Sequence, residues 1–249
     1  MGCGVSAERL DEALAARGLV QSRARGRDAV LRGIVRVNGE AARKPSQNVM
    51  PVDVLTLADD SARYVSRAAL KLIHSLSLFA IDPKGKSCVD LGASTGGFTQ
   101  VLLEAGATHV TSIDVGQGQM AATLAGDPRV TLHEGLNARD ITRDDIPDDV
   151  TLIVSDVSFI SLKLALPPLL SLVRSGTQLI ALVKPQFEVG REALGKGGVV
   201  RDETLLEKTC IDISDFIAGQ GWKVSGVAPS PIEGGDGNRE FLLAAHKVT

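Results

Sequence analysis

The sequence predicts an α/β protein in which a small α+β module precedes a doubly wound, mostly parallel sheet of seven strands. Short apolar runs alternate with helical patterns from residue 64 onward, as in strands joined by crossover helices. One apolar run opens directly into a glycine-rich turn. The first fifty residues carry nine Arg or Lys against five Asp or Glu, a net charge of +4, whereas the remainder carries −7. These observations predict a basic module attached to a larger acidic domain.

The basic module is predicted to contain two helices followed by short strands. A helical stripe that includes Leu10 and Leu14 ends at Gly18. Ser22 is placed to cap a second helix, which ends at Gly33. The segment "IVRVNGEAARKPSQNVMPVDVLTL" then predicts short strands around an Asn-Gly turn.

Basic side chains lie on the outer faces of these helices and beside the turn. Charge alone leaves open a solvated basic face. The pattern over about residues 7–58, however, resembles the S4 RNA-binding domain, and the resemblance implies contacts with RNA phosphates. The candidate RNA-binding residues are Arg9, Arg23, Arg25, Arg27, Arg32, Arg36, Arg43 and Lys44. We therefore expect an S4-like domain over residues 1–59, a linker over 60–64 and a second domain over 65–249.

The second domain alternates between the two kinds of element along its whole length. Helices are predicted from Tyr64 to about Leu78, after Gly97, near Gln119–Ala125 and across Leu205–Ala218. Strands are predicted at Ser87–Leu91 and at "HVTSID", "RVTLHE", "TLIVSD", "TQLIALV", "WKVSGVAP" and "EFLLAAHK". In such a sheet the ligand lies beyond the carboxyl ends of the strands.

Composition argues against a membrane protein, a disulfide framework and a metal site. The best candidate for a span, "LKLALPPLLSLV", is shorter than the ~18 residues required and is interrupted by Pro167 and Pro168. The cysteines, Cys3, Cys88 and Cys210, have no CxxC spacing. We expect a reduced, cytoplasmic protein that is a monomer and binds neither membrane nor metal.

The turn in "SCVDLGASTGGFTQ" distinguishes between three ligands. A dinucleotide turn needs a second glycine where Ala93 stands, and a phosphate-binding loop needs a lysine after its last glycine, where Phe98 stands. Asp90 ends the strand, and its carboxylate would repel a diphosphate but suit a ligand that carries an ammonium and a sulfonium. The turn therefore favours S-adenosylmethionine.

A second acid follows the next predicted strand. Asp114 lies 22 residues past Gly92, where a carboxylate can accept both ribose hydroxyls, although NAD sites share this feature. Asn137 and Ala138 follow the third strand, where the adenine edge would lie, with Arg139 next to them. Alternatively, the glycines permit a tight turn and Asn137 is an ordinary loop residue. The candidate cofactor residues are Asp90, Gly92, Ala93, Ser94, Thr95, Gly96, Gly97, Phe98, Asp114, Asn137, Ala138 and Asp156.

Four further residues are candidates for catalysis. Lys71 lies on an otherwise apolar helix, and Asp156 and Lys184 end the fourth and fifth strands. Glu240 begins the last strand. A doubly wound sheet brings three of these positions to one crevice. Singly, such residues are more often surface groups, but as a set in this fold they indicate an active site.

The phrases "VSRAALKL", "DLGASTGGFT", "VSDVSFISL" and "LVKPQFEVG...GKGGVVRD" resemble the TlyA, or haemolysin-like, family of ribosomal RNA methyltransferases. The catalytic domain of that family is similar to the FtsJ type and has a Rossmann-like methyltransferase sheet. The resemblance implies methylation of a cytidine ribose 2′-hydroxyl in rRNA by S-adenosylmethionine. It also implies that Lys71, Asp156, Lys184 and Glu240 form the catalytic tetrad. The family often has Trp where Tyr64 stands in this chain.

A ribose hydroxyl is a poor nucleophile, so a group must accept its proton. Lys184 is the candidate base, because burial and a second ammonium at Lys71 favour its neutral amine. Asp156 would orient that lysine, while Glu240 and Lys71 would position the ribose and a flanking phosphate. No metal is required, because the sulfonium carries its own leaving group. The segment after Lys184, which contains Arg191, Lys196 and Arg201, predicts an RNA-facing lid.

Three other functions remain to be distinguished: a membrane-acting haemolysin, a ribosome-assembly factor without catalysis and a small-molecule methyltransferase. The absence of an apolar span disfavours the first, the four catalytic candidates disfavour the second and the basic module disfavours the third. The chain ends soon after its last predicted strand, and we expect the large-subunit 23S rRNA as substrate, with 16S rRNA as a second possibility.

Overall fold

The computed structural model describes residues 7–20, 22–31, 33–58, 63–195, 197–234 and 237–248. The chain divides into two compact units, residues 1–67 and 68–249, and each has its own hydrophobic core. Most of the predicted linker, residues 60–62, lies outside the described residues.

The first unit packs two helices against short strands. The elements are β1 (Glu8–Arg9), α1 (Leu10–Ala16), α2 (Arg23–Leu31), β2 (Val35–Val37), β3 (Glu40–Ala41), β4 (Asn48–Val49) and β5 (Leu55–Leu57). Strands β3, β2 and β5 form one antiparallel sheet, and β1 pairs with β4. Asn38 and Gly39 join β2 to β3 with φ of 53° and 86°, the left-handed conformations of a tight hairpin turn.

The second unit has the predicted alternation of strands and helices. Its strands are β6 (Ser87–Leu91), β7 (His109–Asp114), β8 (Val130–Glu134), β9 (Val150–Ser155), β10 (Gln178–Val183), β11 (Trp222–Pro229) and β12 (Phe241–Lys247). Its helices are α3 (Ala68–Leu78), α4 (Gly97–Glu104), α5 (Ala122–Ala125), α6 (Leu162–Leu172), α7 (Pro185–Glu188) and α8 (Glu203–Gly219).

These strands form one sheet in the order β11-β12-β10-β9-β6-β7-β8. The pairs from β10 to β8 are parallel, and β12 is antiparallel to both of its neighbours. All five residues of β6 are buried, as expected of a parallel strand with both faces covered. The mostly parallel, seven-stranded α/β fold predicted from the sequence is therefore confirmed.

Two helices differ from the prediction. Helix α3 begins at Ala68 and not at Tyr64, because the buried residues Tyr64 and Val65 continue the apolar pattern without being helical. The apolar stretch interrupted by Pro167 and Pro168 forms the continuous helix α6. Although a proline inside a helix costs about 3 kcal/mol, the apolar face of α6 is fully buried in the core, and this burial offsets the cost.

Candidate active site

Four charged side chains lie at the carboxyl ends of adjacent parallel strands. Asp90 is the penultimate residue of β6, and Asp114 ends β7. Asp156 directly follows β9, and Lys184 directly follows β10. Because these strands lie in the order β10-β9-β6-β7, the four residues occupy one edge of the sheet. This is the edge at which doubly wound sheets bind their ligands.

The glycine-rich turn between β6 and α4 depends on close packing of the backbone. Gly92 has a φ of 85°, and a Cβ there would lie 2.9 Å from the carbonyl oxygen of Asp156. Gly96 has a φ of 94°, and a Cβ there would lie 2.5 Å from Leu124 Cδ1. Both positions therefore require glycine. Ser94, at the exposed tip of the turn, adopts a φ of 46°.

Asp114 holds this turn in place through backbone hydrogen bonds. The Ser94 amide donates to Asp114 Oδ2 at 2.7 Å, and the Gly116 amide donates to Asp114 Oδ1 at 2.7 Å. Each oxygen has a second lone pair, so the carboxylate can still accept a ligand hydroxyl. Asp114 thus has a structural role that the sequence did not predict, and its contact with a cofactor stays a prediction.

Asp90 lies below the turn and is fully buried. Thr99 Oγ1 donates to Asp90 Oδ2 at 2.6 Å and lies 2.7 Å from Ser112 Oγ. Burial, together with the negative charges of Asp156 and Asp114 and against the opposing hydrogen bonds from Thr99, raises the pKa of Asp90 to about 7. Among the described residues, Asp90 Oδ1 has no hydrogen-bond partner. Its carboxyl group therefore titrates near neutral pH.

The other cofactor candidates divide into exposed and buried positions. Gly92, Ser94 and Thr95 reach solvent at least in part. Ala93, Gly96, Gly97 and the side chain of Phe98 are buried, so that Phe98 can offer a ligand only its backbone.

Asn137 caps the short 3-10 helix Ala138–Asp140. Its Oδ1 accepts the backbone amide of Arg139 at 3.0 Å and the Nε of the same residue at 3.2 Å. The geometry supports a loop-forming role for Asn137. A contact of Asn137 or Ala138 with adenine stays a prediction.

Lys184 makes two polar contacts with the loop that follows β9. Its Nζ lies 2.6 Å from Asp156 Oδ1, an ionic contact that lacks the alignment of a hydrogen bond. The same Nζ donates a hydrogen bond to Ser158 Oγ at 2.8 Å. The side chains of Lys184 and Asp156 are 8% and 13% exposed, so water screens this ion pair weakly.

Lys71 and Glu240 form a second buried ion pair. Lys71 Nζ lies 2.5 Å from Glu240 Oε2, and the two residues are 169 positions apart in the sequence. Val183 pairs with Phe241 at the end of the β10–β12 ladder. Lys184 follows Val183 and Glu240 precedes Phe241, so the two residues leave the sheet next to each other. The ladder thus connects the two ion pairs.

Several residues around the site were not predicted from the sequence. Glu134, at the end of β8, accepts the backbone amides of Gly118 and Gln119 and so holds the loop after β7. Phe159 has a φ of 65°, is 91% exposed and contacts the Phe187 ring at 5.2 Å. A left-handed backbone at an exposed aromatic residue is strained, and no residue pattern signals it.

The predicted RNA-binding residues of the first unit differ in their surroundings. Arg9 and Arg23 both pair with the buried carboxylate of Asp11 and with Glu12. Arg36 is exposed and donates to the carbonyl of Gly39. Arg27, Arg43 and Lys44 are exposed and Arg25 is half-buried, whereas Arg32 lies outside the described residues. The basic surface is therefore present, although two of its arginines also stabilise the unit internally.

The segment after Lys184, predicted from the sequence as a lid, contains two short helical elements. It contains α7 and a 3-10 turn at Arg191–Ala193. The buried side chain of Asn238 accepts the Val200 amide at 3.2 Å and donates to the Gly198 carbonyl at 3.3 Å. Arg201 is exposed. The Arg191 side chain and Lys196 lie outside the described part of the chain. The lid stays a prediction.

Within the described residues, no group of three or more His, Cys, Asp or Glu side chains is arranged to hold a metal ion. No helix in that part of the chain is long and apolar enough to cross a membrane. Burial raises the pKa of the Cys88 thiol to about 12 and that of Cys210 to about 11, so both stay protonated at neutral pH.

Comparison with known families assigns both units. The FtsJ-like methyltransferase model matches residues 64–247. The S4 domain model matches residues 8–55.

Individual relatives extend over nearly the whole chain. The 16S/23S rRNA (cytidine-2′-O)-methyltransferase TlyA of Mycobacterium tuberculosis is 44% identical over 94% of this chain and 88% of its own length. The 23S rRNA (cytidine-2′-O)-methyltransferase TlyA of Campylobacter jejuni is 38% identical over 80% of this chain and 79% of its own. A solved structure described as a hemolysin from Streptococcus thermophilus is 39% identical, with a TM-score of 0.76 over 98% of this chain and 90% of that one.

The buried carboxyl of Asp90 predicts a pH-dependent stability. Because folding raises its pKa, the folded state binds this proton more tightly than the unfolded state, and the contribution of Asp90 to stability falls as pH rises from about 4 to about 7. Asp90→Asn should remove this slope. The unfolding free energy of the variant minus that of the wild type should increase by on the order of 2–4 kcal/mol from pH 4 to pH 8.

Urea unfolding followed by the fluorescence of Trp222, the one tryptophan of the sequence, measures this effect in the second unit. Asp212→Asn, at an exposed position of α8, is the matched control. Parallel pH profiles for wild type and Asp90→Asn would show that Asp90 does not titrate in this range.

Proposed function

The chain belongs to the TlyA family of FtsJ-like methyltransferases, and we propose that it transfers the methyl group of S-adenosylmethionine to the ribose 2′-oxygen of a cytidine in ribosomal RNA. The observation that carries the proposal is the 44% identity over 94% of the chain with a relative named for this reaction. Both relatives named above act on 23S rRNA, and we propose 23S rRNA as the substrate of this chain too.

The residues at the strand ends fit S-adenosylmethionine. The turn from Gly92 to Thr95 offers a close backbone approach, and it contains no Lys or Arg that would favour a diphosphate. The unpartnered oxygen of Asp90 and the carboxylate of Asp114 make this edge of the sheet negative, which suits a cation. Asp114 would accept hydroxyls of the ribose.

The chemistry assigns separate tasks to the two ion pairs. S-adenosylmethionine supplies an electrophilic methyl group on a sulfonium. Lys184 Nζ, an ammonium in its ion pair with Asp156, would first release a proton to solvent. As the neutral amine it would then accept the proton of the 2′-hydroxyl, while the oxygen forms its new bond to the methyl carbon and the bond between that carbon and sulfur breaks. Asp156 and Ser158 would hold Nζ in position through the contacts described above. Lys71 and Glu240 would orient the ribose, with Glu240 accepting a hydrogen bond and Lys71 contacting a phosphate oxygen.

Phe159 supports a substrate that contains nucleobases. It lies one residue after Ser158, and its exposed ring is available to stack on an unpaired base. A small-molecule methyltransferase would require neither this aromatic residue nor a separate S4 domain. The hemolysin label of one solved relative does not by itself indicate membrane activity.

Mass mapping of rRNA from cells with and without the gene tests the proposal. We expect one cytidine in 23S rRNA to lose 14 mass units when the gene is deleted, and the purified protein to restore the methyl group from labelled S-adenosylmethionine. Identical maps, with no label transfer, would contradict the proposed reaction. Lysis of lipid vesicles by the purified protein would favour the membrane alternative.

Asp114→Ala should weaken cofactor binding by on the order of 1.5–3 kcal/mol, the range for a hydrogen bond to a charged group. The variant also loses the acceptor for the Ser94 and Gly116 amides, so the turn should become less well ordered. Titration calorimetry with S-adenosylmethionine measures the effect, and Asp212→Ala is the matched exposed control. An unchanged affinity would remove Asp114 from the cofactor site.

Lys184→Ala should abolish turnover while cofactor affinity stays within a few fold. Loss of a general base typically lowers the rate by 10²–10⁴-fold. Lys184→Arg should fail nearly as badly, because a guanidinium cannot accept a proton near neutral pH. Single-turnover methylation measures both variants, and Lys208→Ala on the exposed face of α8 is the control. An active arginine variant would mean that Lys184 supplies only positive charge.

Replacing Arg25, Arg27, Arg43 and Lys44 by alanine in the full chain should weaken rRNA binding and leave cofactor binding unchanged. Each lost phosphate contact reduces the slope of log affinity against log salt by about one. Filter binding at several salt concentrations gives this slope. A slope equal to that of the wild type would show that these residues make no phosphate contacts.

A further inference from the structure

The loops that carry Asp156 and Lys184 extend beyond the strand pairing that could hold them together. Strands β9 and β10 pair in parallel from Leu152 with Gln178 to Ser155 with Ala181. Asp156 lies one residue beyond the last pair and Lys184 three residues beyond it. Beyond that pair, Asp156 is held through its backbone amide, which donates to the Leu91 carbonyl at 3.0 Å, and β10 is held by its pairing with β12 as far as Val183. Contacts between the two loops add to these constraints on the ion pair.

Glu188 provides such contacts on the far side of the ion pair. Its Oε1 accepts the backbone amide of Leu162 at 2.8 Å, and its Oε2 accepts the Ser161 hydroxyl at 2.5 Å. Glu188 is the last residue of α7, the helix that Lys184 caps at its start. Ser161 in turn is the N-cap residue of α6. One carboxylate thus joins the helix after Lys184 to the helix after Asp156.

The strained backbone of Phe159 indicates that the loop after β9 is held at both ends. Phe159, with its φ of 65°, lies between Ser158, which contacts Lys184, and Ser161, which contacts Glu188. A strained residue persists only when its surroundings fix it. The contact of the Phe159 ring with Phe187 adds a third connection between the same two loops.

We propose that Glu188 is a positioning residue that sets the distance between Lys184 Nζ and Asp156. The proposal rests on the proposed function, because it gives Glu188 a role in methyl transfer through Lys184. Glu188 is half-buried, and burial raises the pKa of its carboxyl group against the hydrogen bonds from Ser161 and Leu162 and the charge of Lys163. The two oxygens of the Glu188 carboxylate accept one hydrogen bond each from Ser161 and Leu162, and in this way the side chain bridges the two loops.

Two measurements on the full-length protein test this role. The first is steady-state methylation of rRNA, which gives kcat and the KM for RNA, combined with a measurement of the cofactor affinity. The second is acetylation of Lys184 by a small anhydride, a measurement that requires no methyl transfer. Peptide mass spectrometry gives the acetylated fraction of Lys184 relative to that of the exposed Lys208. In Glu188→Ala we expect kcat to fall at least tenfold, KM and cofactor affinity to stay within threefold, and Lys184 acetylation to rise at least fivefold.

Glu188→Gln should stay within threefold of wild type in both measurements, because its amide oxygen can accept from Leu162 and its NH₂ can donate to the Ser161 hydroxyl. Glu207→Ala, at an exposed position of α8, is the matched control. If Glu188→Ala does not fold, Ser161→Ala removes one contact and should raise Lys184 acetylation more modestly.

Unchanged Lys184 acetylation in Glu188→Ala, or in Ser161→Ala if that variant is needed, would overturn the proposal. If Glu188→Gln is as impaired as Glu188→Ala, the proposal is also overturned. The negative charge of Glu188, and not its hydrogen bonds to Ser161 and Leu162, would then be what the site requires. Absence of methyl transfer in the wild-type protein would contradict the proposed function, and the acetylation result would still decide the role of Glu188.

Discussion

The contact between Lys184 and Asp156 is the interaction on which the candidate site depends. It joins the loops at the ends of two neighbouring parallel strands and removes an ammonium and a carboxylate from most of the surrounding water. Removing two charges from water offsets much of the attraction between them, so such a pair contributes little to net stability. Deleting one partner alone leaves an uncompensated buried charge. The pair is thus better explained by chemistry than by folding.

The second ion pair extends the same arrangement across the sheet. Glu240 leaves β12 beside Lys184, and Lys71 reaches it from α3. Segments distant in sequence therefore contribute two ion pairs at the same end of the β10–β12 ladder. Each ammonium contacts a carboxylate, which lowers the free energy of burying these ionisable groups.

The sequence predicted the seven strands and the positions of the charged residues at their ends, because apolar runs and the residues that end them are local features. It predicted that Asp156 orients Lys184, but it did not predict that Lys71 pairs with Glu240. The Lys71–Glu240 contact spans most of the domain, and the burial of Asp90 beneath Thr99 depends on how α4 packs on the sheet. The backbone of Phe159 depends on contacts at both ends of its loop.

Local rules also failed where burial outweighed them. Two adjacent prolines indicated an interruption, but the apolar face of α6 packs so completely that the helix continues through them. Arg9 and Arg23 were predicted only as RNA-binding residues, yet both pair with Asp11 within the first unit. The helix is decided by packing against residues distant in sequence, whereas the two arginines share a buried carboxylate only 2 and 12 positions away.

The position of β12, second from one edge of the sheet, has a consequence for biosynthesis. This strand lies between β10 and β11 although it follows both in the chain, so β10 has an open edge until residues 241–247 have left the ribosome. An open edge of buried apolar residues is prone to pair with other chains. The sheet of the second unit therefore cannot close before β12 has been translated, and until then the edge of β10 is available for pairing with other chains.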